Sequence, residues 1–198
     1  MKKYLIPVLA AALILSLVFN IILIQKNSNL ARSADKTDSL ARTSCLLTLS
    51  RAVIAQDDIY DEVCRIAKSS APLEEKQLSL SRFLDGVTLY NLRLAANTLS
   101  TSDSYSAYWA HPKIGDIFLD FYVLDQLIAD RSDNLSEEDF LFLAKSMDAL
   151  CPLLVTNAKD GICLYNLVWH GDTTDASSLL SNIEHQINLT IDYLNQLS

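Results

Sequence analysis

The stretch "NLSEEDF", residues 134–140, gives the clearest indication of the fold in this chain of 198 residues. Ser136 suits the N-cap of a helix, and Asp139 occupies the third helical position, from which an acidic side chain returns a hydrogen bond to the cap. Leu135 and Phe140 have the spacing of a hydrophobic staple, which fixes the direction in which a chain enters a helix. The stretch therefore predicts a helix that begins directly after Ser136.

The residues that follow place apolar side chains at helical spacing, which is typical of a helix with one face packed on a core. That face comprises Phe140, Leu143, Met147, Leu150 and Leu154. Pro152 predicts a kink or an end near Leu150, because proline lacks the N–H group that a helix interior needs.

Apolar residues at the same helical spacing predict further helices before and after this one in the chain. They are expected over residues 39–67, over residues 72–99, from Lys113 onward and from about Asp175 onward. Leu40, Leu47 and Ile54 are expected to widen the apolar face of the first of them. Residues 162–169, "ICLYNLVW", fit either a helical turn or a short strand. Together these patterns predict an all-α fold, an antiparallel bundle of about five helices over residues 39–198.

The amino terminus has the pattern of a membrane anchor. Lys2 and Lys3 precede an apolar run over residues 5–24, which as a helix spans about 30 Å, the thickness of a bilayer core. A cleavable signal has a shorter apolar region of about 7–15 residues with a small-residue cleavage site close behind it. The only candidate site, at Ala31 to Ser33, lies well beyond the run. We therefore expect a retained anchor, with a cleaved signal as the alternative.

The expected organisation follows from that anchor. Residues 1–4 form a cytoplasmic tail, residues 5–24 the transmembrane signal anchor and residues 25–38 a juxtamembrane linker or frayed helix start. The bundle over residues 39–198 is extracytoplasmic, because a short basic tail favours a cytoplasmic amino terminus. The layout is that of a single-pass protein of the bacterial cell membrane.

The net charge of −8 is unevenly distributed. Residues 101–198 carry 4 Lys and Arg against 15 Asp and Glu, a net of −11. This charge repels phosphate backbones, so nucleic acid is not an expected partner. The acidic half is either ordinary solvated surface or a face for a basic partner or for cations. The acidic run "DDIYDE", residues 57–62, leaves the same two interpretations open.

Motifs that carry catalysis are missing from the sequence. It contains no GxSxG, no Walker loop, no GxGxxG and no HExxH. We therefore expect a protein that is not an enzyme and holds no cofactor and no metal.

Four cysteines occur, at Cys45, Cys64, Cys151 and Cys163, and none forms a CxxC pair. They are either small buried apolar residues or, outside the membrane, disulfide partners. Cys45–Cys163 is the disulfide pair to test first, because both residues are expected near the membrane end of the bundle.

Aromatic and histidine residues in the connectors form the predicted binding surface for a ligand or a partner. They are Trp109, His111, Trp169 and His170. The alternative is that the two tryptophans close the ends of the bundle.

Residues 113–150, "KIGDIFLDFYVLDQLIADRSDNLSEEDFLFLAKSMDAL", resemble the membrane-proximal helical region of YpeB-type spore germination proteins. A Lys-Ile-Gly-Asp start, a helix, a Leu-x-x-x-Glu/Asp-Phe/Tyr turn and a second helix occur in both, behind an amino-terminal anchor. The resemblance implies a membrane-held accessory protein that stabilises or localises a partner. It carries over no catalytic residue.

The expected function is therefore that of an anchored, extracytoplasmic interaction or accessory protein whose partner is unknown. The alternative is a helical bundle that senses a small ligand and signals through a partner.

Overall fold

A computed structural model of the chain describes residues 2–88, 113–156, 161–170 and 175–197. It describes side chains from residue 23 onward, except those of Val87, Thr88 and His170. The helices in these ranges are α1 (Lys2–Ala67), α2 (Leu73–Phe83), α3 (Ile114–Arg131), α4 (Glu137–Leu154), α5 (Leu164–His170) and α6 (Ala176–Gln196). The described residues include no strand, so the all-α prediction is confirmed.

Two short segments accompany these helices. Leu84–Thr88 follows α2 and is kinked at Gly86, whose ψ of −129° is not helical. A 3-10 turn over Ser132–Asn134 connects α3 to the cap of α4. The ambiguous stretch at residues 162–169 proves to be mostly helical, because it contributes nearly all of α5.

The chain divides into two compact units, residues 1–44 and residues 45–198. The first unit consists of the early part of α1, and its described side chains are exposed apart from the half-buried Ala41. Residues 25–38, predicted as a linker or frayed helix start, are helical here.

Within the ranges that the structure covers, no helix is both long enough and apolar enough to cross a bilayer. The structure therefore does not support the transmembrane anchor predicted at residues 5–24. Most of that run, through residue 22, lies outside the residues with described side chains.

The second unit is a helical bundle with a continuous apolar core drawn from all six helices. α1 contributes Leu49, Val53 and Val63, as its apolar spacing predicts. A chain of edge-to-face aromatic contacts fills the centre, with Tyr60 and Phe121 centroids 6.0 Å apart and Phe118 and Phe121 centroids 5.8 Å apart.

The prediction that Leu40, Leu47 and Ile54 widen the core face of α1 is wrong. These side chains are 72%, 39% and 42% exposed. Leu47 precedes the buried Leu49 by two residues, which places it about 200° around a helix with 3.6 residues per turn. A stripe centred on Leu49 therefore turns Leu47 away from the core.

The start of α4 confirms the capping box. The Asp139 N–H donates to Ser136 Oγ at 3.3 Å, and the Ser136 N–H donates to Asp139 Oδ2 at 2.7 Å. Leu135 and Phe140 are both buried, as expected for a staple. The predicted end near Leu150 is wrong, because α4 runs through Pro152 to Leu154. Proline is tolerated there because only the last turn loses a hydrogen bond.

Long-range polar contacts fix the directions of the helices. Asp139, near the start of α4, accepts a hydrogen bond from Tyr193, near the end of α6, so these two helices are antiparallel. The Cys64 thiol, near the end of α1, lies 3.7 Å from the Ala144 carbonyl oxygen of α4. α2 joins the start of α4 through the buried Lys76, whose Nζ lies 2.7 Å from Glu137.

Candidate functional site

An open groove of about 530 Å³ runs between α4 and α6. It is lined by Phe142, Lys145, Ser146, Gln186, Leu189, Asp192, Tyr193 and Gln196. Leu189 is 47% exposed, which makes it an apolar contact point for anything that enters the groove.

A stacked aromatic pair forms part of the groove. The rings of Phe142 and Tyr193 lie 3.7 Å apart between centroids with an interplanar angle of 13°. The Tyr193 hydroxyl donates a hydrogen bond of 2.7 Å to Asp139 Oδ1. That hydrogen bond, followed by burial and by the charges of Asp139 and Glu138, raises the pKa of Tyr193 to about 12. The tyrosine is therefore a neutral, fixed donor at every physiological pH.

Asp139 holds this arrangement in place. It accepts hydrogen bonds from the Ser136 backbone N–H, the Ser136 hydroxyl and the Tyr193 hydroxyl, each at 2.7 Å. Burial raises the pKa of Asp139, but the hydrogen bonds from Ser136 and Tyr193 outweigh it and leave the pKa below its ordinary value. One carboxylate thus caps α4 and positions the aromatic ring in the groove.

A second polar cluster lies inside the bundle, between α1 and α3. The Gln56 amide nitrogen donates to both oxygens of Asp125, at 3.0 and 3.2 Å. Gln56, Tyr60 and Asp125 are all at most 1% exposed. Burial raises the pKa of Asp125 to about 7, against the opposing effects of Gln56 and the Tyr60 hydroxyl. Burial and the nearby Asp125 also raise the pKa of Tyr60 well above its ordinary value.

Asp57, in the acidic run of α1, lies at the edge of the bundle and faces α4. Burial, followed by the charges of Asp58 and Asp61, raises the pKa of Asp57 to about 6, while the Cys151 thiol beside it opposes the shift. Burial, followed by the carboxylates of Asp57 and Asp61, raises the pKa of Cys151 to about 12. This thiol therefore stays protonated and is a poor nucleophile.

About two turns beyond Asp57 on α1, the Cys64 thiol lies 3.3 Å from Asp148 Oδ1, which also bonds to Lys68 Nζ at 2.7 Å. Burial is the largest cause that raises the pKa of Cys64. Within the described ranges, no group of three His, Cys, Asp or Glu side chains is arranged to hold a metal ion. Here each thiol contacts a carboxylate on the neighbouring helix. Such pairs stabilise helix packing but provide too few ligands for a metal ion.

The residues predicted as a binding surface are not brought together by the described structure. Trp109 and His111 lie outside the described residues, and so does the side chain of His170. Trp169 lies in α5 and is 39% exposed, next to the buried Leu167 and Val168. A shared surface of these four residues stays a prediction.

Cys45 and Cys163 are both buried, and the structure carries all four cysteines as thiols. The Cys45–Cys163 disulfide therefore stays a prediction.

Sequence reasoning identified Asp139 in the capping box but missed its contact with Tyr193, and it missed the pairing of Gln56 with Asp125. Asp125 lies among Phe121, Leu124 and Ile128 on the apolar face of α3, and a lone carboxylate on such a face is a detectable signal. Gln56 interrupts the apolar face of α1 in the same way. The contact between Tyr193 and Asp139 joins residues that are 54 positions apart, and no short sequence pattern predicts it.

Comparison with known proteins gives no match: no family model fits the sequence, and no curated protein or solved structure is significantly similar to it. The resemblance to YpeB-type proteins accordingly stays a prediction.

Proposed function

We propose that this protein is a non-enzymatic, membrane-anchored accessory protein whose extracytoplasmic helical domain binds a partner protein in the groove between α4 and α6. The observation that carries the proposal is the groove itself. Its stacked Phe142 and Tyr193 rings and its exposed Leu189 offer apolar contacts on a rigid helical frame. Aromatic side chains fixed by neighbours are typical anchors of protein interfaces.

The proposed occupant is a basic amphipathic helix of the partner. Two antiparallel helices with an apolar channel between them suit a third helix that lays its apolar face into the channel. The charge beside the groove supports a basic one: Asp192 and Lys145 balance each other in the lining, and the carboxylates of Asp139 and Glu138 lie close enough to affect Tyr193. Lys145 is the only Lys or Arg among the lining residues, and residues 101–198 as a whole carry a net charge of −11.

The test compares two variants with the same chemical change. Leu189→Arg places a positive charge in the groove, whereas Leu119→Arg makes the same substitution at a 48% exposed position on α3. Each full-length protein, tagged and expressed in its native membrane, is cross-linked and purified for mass spectrometry. We expect one stoichiometric partner with wild type and with Leu119→Arg, and its loss with Leu189→Arg.

A quantitative assay then uses the identified partner and a synthetic peptide of its basic helix. Leu189→Arg is expected to weaken binding by about tenfold or more, since it removes an apolar contact and adds like-charge repulsion. Equal binding of both variants, or recovery of an intrinsic hydrolase activity, contradicts the proposal.

The membrane anchor at residues 5–24 is part of the proposal and rests on sequence. The apolar run that follows the two lysines is, as a helix, long enough to span a bilayer. We expect the full chain to remain in the membrane pellet after alkaline extraction, with the intact mass of the uncut chain. A mass lacking the residues before Ser33 or Ala34 shows a cleaved signal instead.

Small-ligand sensing is the second candidate, because the groove volume lies within the range of ligand sites. In that case, cross-linking yields no partner and a metabolite raises the thermal stability of wild type and Leu119→Arg but not of Leu189→Arg.

A further inference from the structure

Asp125 has too few hydrogen-bond donors for a buried carboxylate. It is 1% exposed, both of its oxygens accept from the one amide group of Gln56, and the Tyr60 hydroxyl is the other donor close enough to favour its charged form. An ionised carboxylate offers about four acceptor sites, and buried ones are normally stabilised by several donors or by a cation. Within the described ranges, no salt bridge involves Asp125.

The described helices around Asp125 bring no positive charge to it. α1 faces it with Gln56 and Tyr60, and the thiol of Cys151 on α4 reaches Tyr60. α3 surrounds it with apolar residues, and the buried face of α6 is apolar except for Thr190. The buried ammonium group of α2, on Lys76, pairs with Glu137. Among the described residues, the titratable neighbours of Asp125 are therefore a phenol and, beyond it, a thiol, and neither balances a negative charge.

The same cluster also contains a buried acceptor that receives no hydrogen bond from the described residues. Gln56 Oε1 is buried and has no hydrogen-bond partner among the described residues. A protonated carboxyl group is a donor as well as an acceptor. A neutral Asp125 could therefore donate to an oxygen of this cluster while it continues to accept from Gln56.

We propose that Asp125 is a proton-operated switch: it is a neutral carboxylic acid in the folded core at mildly acidic pH, and loss of its proton to solvent as pH rises weakens the packing of α3 against α1. The device is independent of the groove and of its occupant. Its coupling to the pH outside the cell rests on the extracytoplasmic location in the proposed function.

The direction of the effect follows from the pKa of Asp125, which burial raises from 3.8 to about 7. The unfolded chain loses this proton near pH 4, whereas the folded chain keeps it until near neutrality. The contribution to stability is fully present below about pH 4 and is lost as pH rises through about 7. Acidification from pH 8 to pH 5 is therefore expected to stabilise the bundle.

The test measures urea unfolding of the full chain in a mild detergent from pH 5 to pH 8. For wild type we expect the unfolding equilibrium constant to rise by about 10- to 100-fold over that range, as linkage predicts for such a group. Asp125→Asn keeps the shape and removes the proton, so most of the pH dependence should disappear. An unchanged pH dependence in Asp125→Asn overturns the proposal.

Asp57 is the necessary control, because burial and its acidic neighbours raise the pKa of this carboxyl group to about 6. Asp57→Asn should remove the smaller part of the pH dependence. If it removes all of it and Asp125→Asn removes none, the switch is not Asp125.

A spectroscopic measurement on Asp57→Asn, which keeps Asp125, covers the case in which Asp125→Asn does not fold. Infrared difference spectra of this variant between pH 5.5 and pH 9, with ¹³C-labelled aspartate, should show the carbonyl band of a protonated carboxylic acid at the lower pH. Absence of that band from the folded protein overturns the proposal.

Discussion

Asp125 and Asp139 are two buried carboxyl groups of one small bundle, 1% and 7% exposed, and their environments shift their pKa values in opposite directions. Asp139 accepts three hydrogen bonds at 2.7 Å, and its pKa falls below the ordinary value. Asp125 accepts from the Gln56 amide and lies beside the Tyr60 hydroxyl, and burial raises its pKa to about 7. Burial raises the pKa of both groups, but Asp125 lies deeper in the apolar core and has fewer donors, whereas the hydrogen bonds of Asp139 outweigh a smaller effect of burial.

The position in the helix explains the difference in donors. Asp139 lies in the first turn of α4, where backbone N–H groups lack partners and the helix dipole favours a negative charge. Asp125 lies in the interior of α3, where backbone N–H groups already bond within the helix. Side chains from other helices must therefore supply its donors. The site of Asp139 therefore suits a carboxylate that stays ionised. The site of Asp125 suits a carboxyl group that gains and loses its proton near neutral pH.

The largest effect is expected from Asp139→Ala. This substitution removes the carboxylate of the capping box and leaves the Tyr193 hydroxyl without its acceptor. We expect a loss of about 2–3 kcal/mol in the free energy of unfolding, measured by urea denaturation at pH 7. Glu138→Ala, in the same turn but exposed, is the control and should cost about 0.5 kcal/mol or less. Equal losses would show that Asp139 acts only through the helix dipole.

Gln56→Met should have the next largest effect, and the effect should depend on pH. The Gln56 hydrogen bond favours the charged form of Asp125, so its removal raises the pKa of Asp125 further above 7. We expect a loss of about 1–2 kcal/mol at pH 8 and a smaller loss at pH 5, where Asp125 is neutral.

Gln77→Met is the matched control for that experiment. The Gln77 amide donates to the Leu135 carbonyl oxygen at 2.8 Å, and a carbonyl does not titrate between pH 5 and pH 8. Its effect should be the same at both pH values. A pH-independent loss in Gln56→Met as well would contradict the contrast drawn between Asp125 and Asp139.

Tyr193→Phe removes one of the three donors to Asp139 and keeps the ring that stacks on Phe142. We expect a loss of about 0.5–1 kcal/mol at pH 7. Asp139 contributes stability that is present above its ordinary pKa of 3.8 and lost as pH falls through its lower folded-state value. The variant should therefore lose less stability than wild type between pH 4 and pH 2. Tyr122→Phe, at another partly buried tyrosine, should lose the same stability as wild type between pH 4 and pH 2.

The smallest effect is expected from Asp148→Asn. Asp148 forms a 2.7 Å ion pair with Lys68 and its pKa lies below the ordinary value, as for Asp139, but its side chain is 54% exposed. Exposed ion pairs contribute little to stability, because water competes for both charges. We expect no measurable change in Tm at physiological salt. A loss as large as that of Gln56→Met would show that the donors of an exposed carboxylate contribute as much to stability as those of a buried one.

The sequence predicted the features of the fold that depend on neighbouring residues. Ser136 and Asp139 identified the start of α4 because a capping box is closed within three residues. The stretch from Lys113 identified α3 for a similar reason, since helical spacing is a local pattern. The prediction failed for Leu47 and Ile54, because several apolar residues on α1 competed for one core face and only packing selects among them.

What the sequence determined by itself is an all-α chain with an acidic second half and a capped α4, since helix formation and charge follow from residues close together. Tertiary structure alone decided that Tyr193 bonds to Asp139, that a groove opens between α4 and α6, and that Gln56 is the partner of Asp125. Each of these depends on residues at least 40 positions apart in the chain. Whether a buried carboxyl group is charged depends on such distant donors, because folding removes the water that would otherwise solvate it.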